Sequence, residues 1–479
     1  MDNLITGIAT NDISLDFALE YTPKIPLRPH QMMTFNLLVQ NDSFLIADQE
    51  GVGKTPPILC SHEAKIKHGK AGMGLYITKA SLIYDVYNQA QKFTNLRVAV
   101  VAGNINKRIN MYYDLEKGLA DLVVVSYETF RQDFNQFNEL HRVKPFSVVY
   151  ADEAHKIRNV ETEVAYWIHK IDTPQRYAIT ATPIVNSIVD CFNILSWIRA
   201  IPYTYEQFLA RYCDISRSGR ITGYRNMEEV RETLQNHMLR RLKQDVLQDL
   251  PPVSSHNLYV ELTAAQRKLY KMVEAADENH VFANLDFEDI STEYVKYTRL
   301  SQIAESTEIV GGEKGKKGSS KLSELENLLE EIVLRGEKAV VFSRSKKFTH
   351  VMASYFSKYN PAVVTGDISS YAEGSKTVSE RQLQVDKFQE DESCKVIFCV
   401  SAAGREGLTL TAASNLIFTS KDFSPAFVSQ AIGRIWRMGA QVHPSIDVYS
   451  ILALNSVDLA LEELLGEKQY VIQDMVERK

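Results

Sequence analysis

Two α/β units, each a parallel sheet covered by helices on both faces, with a mainly helical stretch between them, are the architecture this sequence predicts. Three observations carry it. Short β-branched runs alternate with longer helical patterns. The runs are continuously apolar, as strands buried on both faces are. They also fall into two series, so two sheets are the economical arrangement. The first series is 74–78 (GLYIT), 98–102 (VAVVA), 122–126 (LVVVS), 147–151 (SVVYA) and 177–181 (YAITA). The second is 338–343 (KAVVFS), 362–365 (AVVT), 395–400 (KVIFCV), 415–419 (NLIFT) and 446–451 (IDVYSI).

Between the series, about 184–305 reads as mainly helical. The segment GGEKGKKGSSK at 311–321 reads as a flexible linker, being rich in Gly, Ser and Lys. Leu322, Leu325, Leu328, Leu329 and Ile332 recur at helical spacing and predict a helix that packs on the second sheet. The final VDLALEELLGEKQYVIQDMVERK also reads as helix. The division that follows is 1–195 for the first unit, 196–310 for the helical insertion, 311–321 for the linker, 322–455 for the second unit and 456–479 for a bracing helix.

The chain has 479 residues, 45% apolar and 24% charged, with a net charge of −6. These are ordinary globular values. No uncharged apolar run is long enough to span a membrane, and the opening MDNLITGIATND lacks the pattern of a signal peptide. Five cysteines (60, 191, 213, 394, 399) have no CxxC spacing, which argues against a zinc site or a disulfide framework and for a reducing interior. The acidic balance means that any nucleic-acid contact must come from a local basic groove.

Residues 44–55, FLIADQEGVGKT, run from an apolar strand into a glycine-rich loop. Gly51 and Gly53 let the backbone turn its N–H groups toward phosphates; Lys54 would reach the β- and γ-phosphates and Thr55 would ligate Mg²⁺. Asp48 stands where the strict GxxxxGKT pattern has its first Gly. About 100 residues on, SVVYADEAHK sets Asp152 and Glu153 at a strand end, where open α/β sheets bind ligands. Asp152 suits Mg²⁺ and Glu153 suits proton abstraction from water. Pro56 and Pro57 directly follow Thr55, and Pro56 has no N–H to offer phosphate, so nucleotide binding is expected to be somewhat weakened.

With these motifs in view, the chain resembles the Snf2 family of superfamily 2 helicase-like ATPases from about residue 26 onward. LRPHQ at 27–31 is similar to its opening element, ADQEGVGKT at 47–55 to its ADEMGLGKT, and ADEAHKIRN at 151–159 to its DEAH box. TATPIVNS at 180–187, MLRRLKQDVLQDLPP at 238–252, SAAGREGLTLTAASNLIF at 401–418 and QAIGRIWRMGAQ at 430–441 follow in the family's order. The resemblance implies two RecA-like lobes with a helical Snf2-type insertion and ATP with Mg²⁺ as cofactors. Arg28, Gln31, Asp48, Gln49, Glu50, Gly51, Val52, Gly53, Lys54 and Thr55, with Gly407 and Gln430, would bind nucleotide. Lys54, Asp152, Glu153 and the fingers Arg434 and Arg437 would carry catalysis, Thr55 and Asp152 the metal, and His155, Thr180 and Thr182 the coupling to movement. A spacing of three predicts that both finger guanidiniums share one helix face.

The implied partner is DNA, duplex, forked or junction, held mainly through phosphates. Lys79, Ser126, Tyr127, Ser343, Arg344, Gly366 and Ser401 are the candidate contacts. The segment RYCDISRSGRITGYRNMEEV at 211–230 resembles the fork-remodelling, annealing-type branch, with phage and bacterial branch-migration helicases a related match. The leading expectation is therefore a motor that remodels branched DNA in replication, recombination or repair; the alternative is a duplex translocase that displaces bound proteins. A scaffold without activity would be expected to have lost Lys54, Glu153 or Arg437. The expected setting is a monomer, off membranes, in the cytoplasm or nucleoid of a bacterial or phage-infected cell.

Overall fold

The structure is a computed structural model and describes residues 16–185, 187–247, 249–275, 293–366, 380–401, 408–437 and 439–476. The opening residues 1–12, read above for a targeting signal, lie outside the described residues. The chain divides into two compact units, one reaching to residue 248 and one running from Asp249 to Tyr470.

The first unit holds β1 (Ser43–Ile46), β2 (Gly74–Thr78), β3 (Val98–Val101), β4 (Leu122–Ser126), β5 (Val148–Asp152) and β6 (Gln175–Ile179). A hairpin of β7 (Cys213–Ile215) and β8 (Ile221–Tyr224) follows, then the two-residue β9 (Met238–Leu239). The main sheet has the order β3-β4-β2-β5-β6-β1-β9 and is parallel throughout. Successive residues of β2 supply both faces: Leu75 and Ile77 join one hydrophobic core, Tyr76 the other. That is why the strand runs read as continuously apolar.

The second unit holds β10 (Val253–Val260), β11 (Ala339–Ser343), β12 (Ala362–Val364), β13 (Val396–Val400), β14 (Asn415–Phe418) and β15 (Ile446–Ala453). Its parallel sheet has the order β10-β15-β14-β11-β13-β12. On β11, Val340 and Phe342 enter one core while Ala339 and Val341 enter the other. The helix Ser320–Leu334 buries Leu322, Leu325, Leu328, Leu329 and Ile332, the stripe its spacing predicts. The helix Val457–Val476 closes the described chain. No helix among the described residues is long and apolar enough to cross a membrane, and the five cysteines are free and buried.

Two expectations are corrected. The 196–310 stretch is not one helical insertion. Its first part stays with the first unit and contributes β7, β8 and β9, while β10 adds an edge to the second sheet. β10 left no strand pattern because seven of its eight residues are at least partly solvent-facing, so it lacks a buried strand's apolar run.

Nor is 311–321 a flexible linker. Thr307 Oγ1 donates to Glu313 O (2.8 Å), and Ser319 Oγ donates to Glu305 O (2.5 Å). A Cβ on Gly318 would sit 1.9 Å from Glu313 O, so this glycine serves close backbone approach. Lys321 is fully buried, paired with Asp458 (2.6 Å) and donating to Thr419 O (2.5 Å).

Candidate active site

The carboxyl ends of β1, β2, β4, β5 and β6 meet along one edge of the first sheet, and the predicted nucleotide residues gather there. After β1 the backbone turns through Gly51 (φ 79°) and Gly53 (φ 87°), a region that glycine enters without strain. The helix Thr55–Lys67 then starts, so its unpaired first-turn N–H groups face the loop. Lys54 Nζ donates to the carbonyls of Asp48 (2.7 Å) and Gln49 (3.3 Å). His30 Nε2 lies 3.0 Å from Val52 O, and Gln31 Nε2 donates to Gly53 O at 2.9 Å. The other end of the Gln31 amide accepts from Arg28 N (3.0 Å). Gln31, expected to bind nucleotide, therefore ties the phosphate loop to the helix Pro29–Gln40, keeping one N–H and one lone pair spare.

Asp48 does not offer its side chain to nucleotide, and the amide oxygen of Gln49 is already engaged. Asp48 is buried, and both its oxygens are taken by Arg241: Nε donates to Oδ1 at 3.0 Å and Nη2 pairs with Oδ2. Arg241 also donates to His30 O (2.5 Å) and Thr34 Oγ1 (2.5 Å). Gln49 Oε1 accepts from Lys243 N at 2.9 Å. Arg240 Nη1 donates to Ala47 O and Ala181 O, both at 2.8 Å. The backbone adds Ala47 N to Leu239 O (2.7 Å) and Gln49 N to Arg241 O (3.0 Å).

The LRRLKQDV segment thus acts as a frame for the phosphate loop, a role the sequence reading missed. The sequence offered only a partial signal: the adjacent Arg240 and Arg241 directly follow the apolar pair Met238–Leu239, whose burial only the structure shows, and buried charges are found paired. Of the remaining loop residues, Val52 is buried, Glu50 is half-buried with Oε1 unpartnered, and Arg28 is exposed.

Asp152 ends β5, and Glu153 follows in the left-handed region (φ 54°). A non-glycine residue held there costs about 1–3 kcal/mol, a strain typical of functional sites. Thr78 Oγ1 donates to Asp152 Oδ2 (2.9 Å), and Tyr127 OH donates to Asp152 O (2.8 Å). Burial and the neighbouring Glu153 charge push the Asp152 carboxyl up to about 6, against the Thr78 hydrogen bond and the Lys54 charge. For Glu153, burial works upward but is outweighed by Lys79, His155 and Lys54, so its carboxyl stays well below the usual range. Lys79 Nζ lies 3.5 Å from Glu153 Oε1. His155 Nδ1 lies 3.2 Å from Glu153 Oε2 and 3.3 Å from Thr180 Oγ1. A proton on Nδ1 serves the carboxylate, and a bare Nδ1 accepts from the threonine. Thr182 N donates to Thr180 Oγ1 at 3.2 Å. The expected coupling residues His155, Thr180 and Thr182 are therefore linked to Glu153 in one chain of contacts.

The donor set fits Mg²⁺. Thr55 offers a hydroxyl at the head of the helix, and Asp152 offers a carboxylate whose charge is disfavoured by burial and would be relieved by a cation. A Mg²⁺ carried on nucleotide phosphates needs only one or two protein oxygens. Pro56 and Pro57 are both buried in the first helical turn, so two potential phosphate donors are missing. Pro56→Ala is expected to tighten ATP by roughly threefold to tenfold, the factor that one net hydrogen bond of about 1 kcal/mol supplies. Titration with a fluorescent ATP analogue checks this, and an unchanged dissociation constant refutes it.

In the second unit, Gln430 and Arg434 are buried on the helix Pro425–Ile435. Arg437 does not share its face. The helix ends at Ile435, Trp436 N closes it on Ile432 O (2.9 Å), and Arg437 Nη1 donates to Thr409 Oγ1 (2.9 Å). Trp436 Nε1 donates to Pro251 O, and its ring packs on a core of the same unit. Gly407 lies outside the described residues.

Most of the expected DNA contacts are engaged inside the protein. Lys79 pairs with Glu153. Ser126 is buried and caps the helix Tyr127–Gln132 through Thr129 N (3.1 Å), and Tyr127 is buried beneath Asp152. Ser343 is buried and donates to Glu305 Oε1 (2.6 Å), an oxygen that Ser420 shares (2.5 Å). Ser401 is buried against Ser343 O (3.2 Å). Arg344 lies half-buried with its guanidinium 4.7 Å from the Phe423 ring centroid. Gly366 is exposed at the end of β12 with open space around it. Strand-end hydroxyls read as DNA contacts are used for capping and buried pairing because a buried polar group must find a partner.

Residues 30–309 match the SNF2-related domain, and residues 320–439 match the helicase conserved C-terminal domain. The TATA-binding protein-associated factor MOT1 of Saccharomyces cerevisiae is 24% identical over 95% of this chain and 27% of its own length. The chromodomain-helicase-DNA-binding protein 1-like of Mus musculus is 25% identical over 91% of this chain and 48% of its own. This chain therefore spans about a quarter to a half of those relatives. A solved Sulfolobus solfataricus SWI2/SNF2 ATPase core in complex with dsDNA aligns over 96% of this chain and 95% of that one, with 24% identity and a TM-score of 0.45. With the first match spanning more than half of its residues, the chain belongs to the SNF2-related family of helicase-like ATPases.

Proposed function

We propose that this chain is an ATP- and Mg²⁺-dependent DNA motor that remodels branched DNA, forks or junctions, in replication, recombination or repair. The observation that carries the motor reading is the contact path Glu153–His155–Thr180, which links the carboxylate beside the phosphate loop to the segment expected to couple hydrolysis to movement. The loop N–H groups from Gly51 to Thr55 cradle phosphate, and Lys54 exchanges its two carbonyl partners for phosphate oxygens. Glu153 takes a proton from the attacking water, and His155 senses the change through its shared contact with Thr180. Mg²⁺, when bound through Thr55 and Asp152, neutralises charge on the β- and γ-phosphates.

The branched-DNA part rests on the 211–230 segment and its resemblance to fork-remodelling enzymes. A second reading, a duplex translocase acting on DNA-bound proteins, is favoured by one relative being a TATA-binding protein-associated factor. Steady-state ATPase at one fixed salt concentration separates the two, comparing a four-way junction with a linear duplex of equal base pairs, and single strand and RNA as controls. Stronger stimulation by the junction is expected. Equal stimulation by linear duplex would overturn the branched-DNA reading in favour of the second.

A further inference from the structure

The β7–β8 hairpin has no part in the phosphate site, yet it is built as a defined projection. Cys213 pairs with Tyr224 and Ile215 with Ile221, with a bulge between Asp214 and Ile215. The turn is closed by Ser216 N to Arg220 O (2.8 Å), Gly219 N to Ser216 O (2.9 Å) and Arg220 N to Ser216 Oγ (3.1 Å), with Gly219 at φ 79°. Its base is fastened by Arg225 Nη2 to Ala210 O (2.7 Å) and by Asn226 Nδ2 to Arg211 O (2.9 Å). A two-stranded ribbon is marginal in water by itself, so these anchors hold it in place.

What the ribbon presents is unusual for a solvated loop. Ile215, Ile221 and Tyr224 are 47%, 38% and 37% exposed. From Arg211 to Arg225 there are four arginines and one acid, a local charge of 4 − 1 = +3 in a chain of net −6. Arg211 pairs with Glu229, and Arg225 approaches Asp214. Arg217 and Arg220, exposed on the turn, have no acidic partner among the described residues.

Two chemistries are therefore side by side, unpaired guanidiniums and an uncovered apolar face. Guanidiniums suit phosphate oxygens. The apolar face has no match on an intact duplex backbone, but base rings become available where a duplex opens and its bases unstack. We propose that this hairpin is a DNA branch-point contact, with Arg217 and Arg220 on phosphates and the Ile215, Ile221 and Tyr224 face against unpaired bases. This rests on the branched-DNA reading above and names the element that would read the branch.

The test uses the full chain in two variants, Arg217→Ala with Arg220→Ala, and Ile221→Thr with Tyr224→Ser. Thermal melts first show that each keeps its fold. Fluorescence anisotropy then gives dissociation constants across a salt series for a linear duplex and for a fork with equal base pairs and unpaired arms. The arginine variant is expected to lose about two from the log–log salt slope on both DNAs, about one per phosphate contact. The apolar variant is expected to bind duplex as before and the fork about tenfold more weakly, the effect of one or two lost base contacts. An unchanged salt slope in the arginine variant overturns the proposal, as does equal weakening on fork and duplex in the apolar one. If the native chain binds fork and duplex equally, the branched-DNA reading fails and takes the base contact with it. A reduced slope in the arginine variant would even then keep the turn as a phosphate contact.

Discussion

A Glu153→Gln variant is expected to bind ATP about as the native chain does and to lose roughly 10²–10⁴-fold in turnover, the range a positioned general base supplies. The substitution keeps the volume and one carbonyl oxygen near Lys79 and His155, so the left-handed turn after β5 has no steric reason to change. It removes the proton acceptor. Glu153 is held as an anion by Lys79, His155 and Lys54 against the upward push of burial. When phosphate engages Lys54, one of those cations is redirected, and the carboxylate becomes a better proton acceptor at the moment a substrate is present. Single-turnover hydrolysis beside equilibrium binding of an ATP analogue separates the two quantities. Hydrolysis at the native rate would remove Glu153 from the base role.

Arg241→Met is expected to cost about 3–5 kcal/mol, because it strands the buried Asp48 carboxylate without its cation. For a unit of this size that lowers Tm by on the order of 10 °C. It also releases His30 O and Thr34 Oγ1, and His30 is the residue that reaches Val52 O in the phosphate loop. ATP affinity should fall with stability. Replacing the pair together, Asp48→Leu with Arg241→Met, is expected to return most of the stability, since a buried ion pair exchanges for apolar residues at little net cost. Affinity should stay reduced because the frame is still absent. A single variant with native Tm and native ATP affinity would show that the 238–246 segment is only an edge of the sheet.

The strands and the hydrolysis motifs were legible in the sequence for a local reason. Ten apolar runs marked ten strands to within a residue or two, since a strand covered on both faces needs an unbroken apolar run. The glycine loop and the DEAH box were legible because backbone curl and strand-end carboxylates depend on residues adjacent in the chain. β9 and β10 were not, being too short or too polar to leave a pattern.

The fate of individual polar residues was settled by partners far away in sequence. Asp48 reads as part of a phosphate loop until Arg241 arrives from 193 positions downstream and takes both its oxygens. Ser343 reads as a free hydroxyl at a strand end until Glu305, 38 positions earlier, accepts from it. Lys321 reads as part of a solvated linker until Asp458 pairs with it. Apolar periodicity and backbone turns are local properties, so composition and spacing reveal them. Whether a charge or hydroxyl is free for a ligand depends on what is packed against it once water is excluded, and only the folded chain brings those groups together.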